Sequence, residues 1–252
     1  MFQLGHRFAQ PWVLIHYLIF IESRAFGGAI SGRLAIPGAA VMYVPIGLVF
    51  VPDQLRARDQ QLVQITDAAL AETTRKSGAW LVCRPGCSQC CVGVFAIHQL
   101  DVWRLRRGLA ELESRDPQRA ARVRARARDS VARLTAGFPG DPSTGILDEG
   151  TEAEERFEAF ANDEVCPVLD PERGTCDLYE ARPMTCRVFG PPVRSEGGLG
   201  VCELCYGGAT EQEIAGCEMP VDPDHLEPQL LADLESSTGT AGKTTVAFCL
   251  VL

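Results

Sequence analysis

The sequence predicts a mainly α-helical fold, a small irregular metal-centred helical domain with long cysteine-bearing loops. Three observations predict it. Apolar residues recur at helical spacing in several segments after Asp53. Glycine and proline break the stretches between them into loops. Ten of the eleven cysteines fall in three close groups within those loops, and only Cys249 stands apart.

The first helix is expected from Asp53, where Leu55, Leu62, Ile65, Ala69 and Leu70 share a face through Lys76 and Gly78 ends the run. The first cysteine group follows in a loop turned by Pro85 and Gly86. A second helix starts near His98 or Gln99 and carries Val102, Leu105, Leu109 and Leu112. Asp116–Pro117 opens a third, with Val123, Ala127, Val131 and Leu134 inward and Arg119, Arg122, Arg126 and Arg133 on the other face. Phe138–Gly150 reads as a turn-rich linker, Thr151–Phe160 as a short acidic helix, residues 190–200 as a Gly/Pro loop and Pro223–Leu234 as the last helix. The domain is thus expected over 53–235, with a flexible C-terminal tail over 236–252. Residues 1–52 are apolar, poor in charge and free of cysteine. They read as an N-terminal extension, either a weak membrane anchor, a β-rich or disordered segment, or sequence upstream of a start near Met42. The last is the favoured reading.

Charge divides the chain. Residues 53–137 hold 15 Lys+Arg against 9 Asp+Glu, whereas 148–235 hold 5 Arg against 22 Asp+Glu. The basic helices are therefore expected to pack beside the acidic half of the same molecule. With a net charge of −9 the chain is a poor nucleic-acid binder, since phosphate contacts need positive surface. No nucleic-acid partner is expected, nor a membrane: Pro11–Ile21 is too short to span, and Pro37, Gly38, Pro45 and Gly47 interrupt Ala35–Val51. An odd number of thiols, with Cys90 and Cys91 adjacent, is a poor disulfide framework and suits the reducing cytoplasm of a bacterial-type cell. Cys249, in the apolar run VAFCLVL, reads as a small buried hydrophobe.

The remaining cysteines have metal-ligand spacing. Cys83, Cys87, Cys90 and Cys91 form the first group, Cys166, Cys176 and Cys186 the second, and Cys202, Cys205 and Cys217 the third. Thiolates a few residues apart on a turn converge on a soft cation, and zinc or an iron–sulfur cluster takes four of them. Cys90 and Cys91 are expected to diverge and to serve different sites or opposite sides of one. Two sites of four thiolates and one cluster with extra thiols are both open. Pro183 stops any helix from Asp177 and turns Cys186 toward the earlier sulfurs. Arg182 and Arg187 are placed to offset the negative charge of a thiolate–metal centre, their alternative being salt bridges with local acids. His98, three residues before Asp101, suits a helix cap better than a ligand. The string GTAGKT near the C-terminus lacks the first glycine and the following helix of a phosphate-binding loop.

The order C-x3-C-x2-CC, then Cys166, then Cys176-x2-Tyr-x2-Arg-Pro-x2-Cys186-Arg, resembles the YkgJ-type cysteine-cluster family, also described as the CxxCxxCC zinc- or iron-chelating domain. Seven of the family's eight cysteines map to Cys83, Cys87, Cys90, Cys91, Cys166, Cys176 and Cys186. The eighth is Cys202 or Cys205. The first gap is three residues instead of two, and Cys217 exceeds the family pattern. The resemblance implies a metal-ion partner, zinc or iron, with an iron–sulfur cluster as one form, in an accessory or structural metalloprotein. A related branch resembles the flagellin lysine N-methylases and implies the alternative, an iron–sulfur redox or methyl-transfer enzyme. The chain shows no Gly-rich strand–loop–helix fingerprint for S-adenosylmethionine.

Overall fold

The computed structural model describes residues 51–195 and 198–252. Apart from Val51 and Pro52, the expected N-terminal extension lies outside the described residues. Eight α-helices are described: α1 (Asp53–Ser77), α2 (Gln99–Arg115), α3 (Pro117–Leu134), α4 (Thr151–Glu158), α5 (Met184–Val188), α6 (Glu211–Gly216), α7 (Leu226–Thr238) and α8 (Val246–Val251). The described strands are two or three residues long and pair as antiparallel ribbons: β1 (Ala96–Ile97) with β8 (Thr244–Thr245), β2 (Gly140–Asp141) with β3 (Ile146–Leu147), β4 (Leu169–Asp170) with β5 (Thr175–Cys176), and β6 (Val193–Ser195) with β7 (Gly198–Gly200). The fold is mainly α, as the periodicity predicts.

Helix ends follow local chemistry. Gly78, at φ +50°, stops α1 and returns its N–H to the Thr74 carbonyl. Asp116 caps α3 by accepting from the Arg119 N–H (3.0 Å), and Pro117 takes the first helical position, where no donor is needed. His98 precedes α2, and its N–H donates to Asp101 Oδ2 (3.3 Å) in a capping box.

Helix α2 is central. Val102, Leu105, Leu109 and Leu112 face α3 and α8 in the main core, with Val123, Ala127 and Phe248. Leu100 looks the other way, into a second core with Val51 just before α1, Leu55 and Leu62 of α1, Met184 of α5, and Leu230 and Leu234 of α7. Burying such side chains supplies roughly 25 cal/mol per Å² of apolar surface. The inward stripe of α1 is half polar, because Asp59, Thr66, Thr73 and Ser77 are also buried. Each has a partner. Asp59 takes the buried Arg104 guanidinium, which also reaches Asp101 (2.6 Å), while Thr66 and Ser77 return their hydroxyls to carbonyls one turn back.

The C-terminal residues correct an expectation. Residues 236–252 are not a flexible tail: α7 runs on to Thr238, Thr244–Thr245 pairs with Ile97–Ala96, and Val246 through Leu250 are buried. The Phe138 and Phe248 ring centroids stand 4.2 Å apart. A six-residue helix is too short to show periodicity, and it is held by distant contacts rather than by propensity. Cys249 is buried there as expected, its Sγ 3.8 Å from the Val102 carbonyl.

Charge pairing across the molecule is as expected. Arg119 and Arg126 of α3 both hold Asp177 at 2.5 Å, and Arg133 holds Glu164 at 2.7 Å. The arginine face of α3 thereby clamps the segments that carry Cys166 and Cys176.

Candidate metal centre

Each cysteine group is positioned by its own local device. A 3-10 turn, Gln89–Cys91, sets Cys90 and Cys91, and the Cys87 N–H closes a turn on the Arg84 carbonyl (2.9 Å). The Cys166 N–H donates to the Cys91 carbonyl (2.8 Å), so the first two groups are joined through the backbone. Cys176 sits on β5 opposite Leu169, whose N–H reaches back to the Cys166 carbonyl (3.0 Å). Pro183 immediately precedes α5, which carries Cys186 inward at its centre. Tyr206 N–H donates to the Trp80 carbonyl (2.8 Å), laying the Cys202–Cys205 loop beside the approach to Cys83.

The result is one cavity of about 450 Å³ with eight cysteines on its wall: Cys83, Cys87, Cys90, Cys91, Cys166, Cys176, Cys186 and Cys202. Exposed Cys83, Arg84, Pro85 and Gly86 mark its mouth, and buried Phe95, Leu105, Cys166 and Val168 its floor. Cys205 lies behind this wall, its Sγ 3.9 Å from Cys83 Sγ. Cys217 is buried with Tyr206 in the small core beneath Cys202 and Cys205. All eleven cysteines are free thiols.

Arg182 lines the cavity, stacked on Tyr179 (4.0 Å to the ring centroid) and donating to the Tyr179 carbonyl and Asp67. Its charge reaches Cys90 and favours the thiolate there. Arg187 is not on the wall. It is buried beneath the turn, with Nη1 on both Asp67 oxygens and Nε on the Arg182 carbonyl. Of the two arginines expected to offset cluster charge, the structure puts one at the cavity and uses the other to hold the loop. Asp67 escaped the sequence reading. Its only signal is a lone acid on the half-buried face of α1, ordinary without knowledge of its partners.

Cys90 and Cys91 do not diverge. Both line the same cavity, and their mutual interaction lowers the Cys90 pKa and, with burial, raises that of Cys91. Burial pushes the Cys166 thiol up to about 12 and Cys176 to about 11, and it raises Cys186 strongly. His98, half-buried at the start of α2 and pushed down to about 3 by desolvation, is absent from the cavity wall.

Soft thiol donors suit zinc and iron. Four sulfurs about 2.3 Å from one Zn²⁺ stand about 3.8 Å apart, close to the Cys83–Cys205 separation of 3.9 Å. Among the described residues, however, no three His, Cys, Asp or Glu side chains already converge on a single metal position. The thiols ring a space. The donor chemistry fits the metal.

A mainly helical domain thus gathers eight cysteines around one chamber. Residues 82–205 match the family model described as "CxxCxxCC: Putative zinc- or iron-chelating domain". No curated protein and no solved structure matches the chain. Among the described residues no helix is long and apolar enough to cross a membrane.

Proposed function

We propose that this protein binds zinc or iron through the cysteine thiolates around the cavity, and that it serves as an accessory or structural metalloprotein. One observation carries the reading: eight free thiols from three separate cysteine groups line a single chamber. Scattered structural cysteines have no reason to share a wall. Cys205, held against Cys83, is the ninth ligand candidate. Metal uptake takes the protons off these thiols, and the Arg182 guanidinium offsets part of the charge that remains. The cytoplasm is the compartment that keeps such thiols reduced. The pairing of Arg119, Arg126 and Arg133 with acids of the same chain supports a role without nucleic acid.

A second reading, an iron–sulfur protein with redox or methyl-transfer chemistry, draws on the size of the chamber. At about 450 Å³ it is far larger than the gap between four sulfurs on one zinc ion, and Leu70, Leu81, Phe189 and Pro191 extend its wall beyond the thiols.

Anaerobic purification with metal and acid-labile sulfide analysis decides between the two. Colourless protein with bound Zn²⁺ that unfolds on chelation establishes the structural role. Brown protein with iron, sulfide and absorption near ~400 nm moves the assignment to the second reading. Protein that retains no metal under either condition overturns both.

A further inference from the structure

Resting on the reading above, we infer that the thiol ring comprises two metal sites: a mouth site of Cys83, Cys87, Cys202 and Cys205, and a floor site of Cys91, Cys166, Cys176 and Cys186. Cys90, next to Cys91 in the 3-10 turn and also on the cavity wall, is left outside both sets.

Backbone ties separate the two sets. The floor set is one hydrogen-bonded unit: Cys166 N–H to the Cys91 carbonyl at 2.8 Å, Val92 bridged to Val165, and Leu169, paired with Cys176, donating to the Cys166 carbonyl at 3.0 Å. It lies against the main core, and α5 adds Cys186. The mouth set has its own scaffold. The Cys205 N–H closes a turn on the Cys202 carbonyl (2.9 Å), and the Tyr206–Trp80 hydrogen bond ties that turn to the segment entering Cys83. These residues belong to a separate small core with Trp80 and Leu81.

Two details argue against one common centre. Cys205 stands off the chamber wall, so a metal held between Cys83 and Cys205 is drawn away from the floor sulfurs. Gly190 holds the mouth geometry: at φ +118° it has no side chain, and a Cβ there would stand 2.8 Å from Cys83 Sγ. The backbone thus makes room for a sulfur that points at Cys205. Each set supplies four thiolates, the number a closed tetrahedral site requires.

The test is an anaerobic Co²⁺ titration of the reduced full chain, following the thiolate-to-cobalt charge-transfer and ligand-field bands, with circular dichroism on every variant. The expected result is two equivalents for the wild type and one for the C83S/C205S double variant, with helix content unchanged. The C166S/C186S variant should keep the other equivalent. Should that buried pair prove necessary for folding, the wild-type stoichiometry and C83S/C205S still decide. One equivalent in the wild type, or loss of all cobalt from folded C83S/C205S, overturns the partition in favour of a single centre. Two equivalents retained in C83S/C205S overturns the mouth assignment. Absence of thiolate–cobalt bands from the wild type overturns the metal-binding reading itself.

Discussion

Arg187 is buried on α5 with its Nη1 2.7 Å from each carboxylate oxygen of Asp67 on α1. Its other nitrogens take the Arg182 and Glu180 carbonyls, so one side chain fixes the turn that delivers Cys186. Removing Asp67 leaves a buried cation without its counter-ion. Asp67 is itself partly exposed, so the cost falls below that of a fully buried pair, at about 2–3 kcal/mol. Asp67→Ala is therefore expected to lower the urea midpoint and weaken metal retention together. Arg187→Lys should fail to restore either, since an ammonium cannot serve the same planar set of acceptors. Equal urea midpoints for wild type and Asp67→Ala would refute this.

Gly108 on α2 sets the close approach of the turn Tyr179–Ala181. A Cβ there would overlap the Ala181 side chain. Helix propensity alone makes Gly→Ala favourable by about 1 kcal/mol. Overpacking at this contact costs about 1–3 kcal/mol and acts on the segment between Cys176 and Cys186. Gly108→Ala is expected to destabilise, whereas Gly216→Ala, in α6 with open space around it, is not. A stabilised Gly108→Ala in thermal melts contradicts the packing described.

The fold was legible where periodicity or capping chemistry acts locally. Asp116–Pro117, Gly78 and the apolar stripes of α2 and α3 place three helices to within a residue or two. The chamber was legible as a cysteine pattern, but not its membership, because sequence spacing says nothing of which sulfur lies across from which. Cys205 facing Cys83 is a relation over 122 residues. The β1–β8 ribbon and the buried α8 were invisible for the same reason: short elements carry no period, and their stability is tertiary. Arg187 was misplaced because an arginine beside a cysteine looks alike whether it faces the sulfur or a buried carboxylate.

His98 makes stability sensitive to acid. Burial, with Lys243 and Arg104 nearby, pushes its pKa down to about 3 from 6.5. The folded imidazole thus stays neutral where the unfolded one takes a proton, and the unfolded state binds more protons between those values. Stability contributed by the neutral ring is full above pH 6.5 and is lost as pH falls toward about 3, by up to about 1.4 kcal/mol per unit. A His98→Gln variant should flatten this limb of the profile. Urea unfolding at pH 7 and pH 5 tests it: an unchanged slope in the variant assigns the acid sensitivity to carboxylates instead.

The buried thiols give the opposite limb, and metal should remove it. Burial pushes Cys166 up to about 12 and Cys176 to about 11, above the usual thiol value of 9.0. In the metal-free protein these groups remain protonated after the unfolded chain has begun to ionise, so the folded state binds the excess protons. Their contribution is complete below about pH 9 and declines as pH rises through the folded values. Metal reverses the preference, because a ligating thiol must give up its proton. The loaded protein is expected to keep its stability between about pH 9 and pH 11 while the apo protein loses it. Metal uptake at neutral pH should release several protons, read as a binding enthalpy that varies with the ionisation enthalpy of the buffer. Cys166→Ser should lower the number of protons released. Uptake with no proton release would mean that the thiols gathered around the chamber are not the ligands.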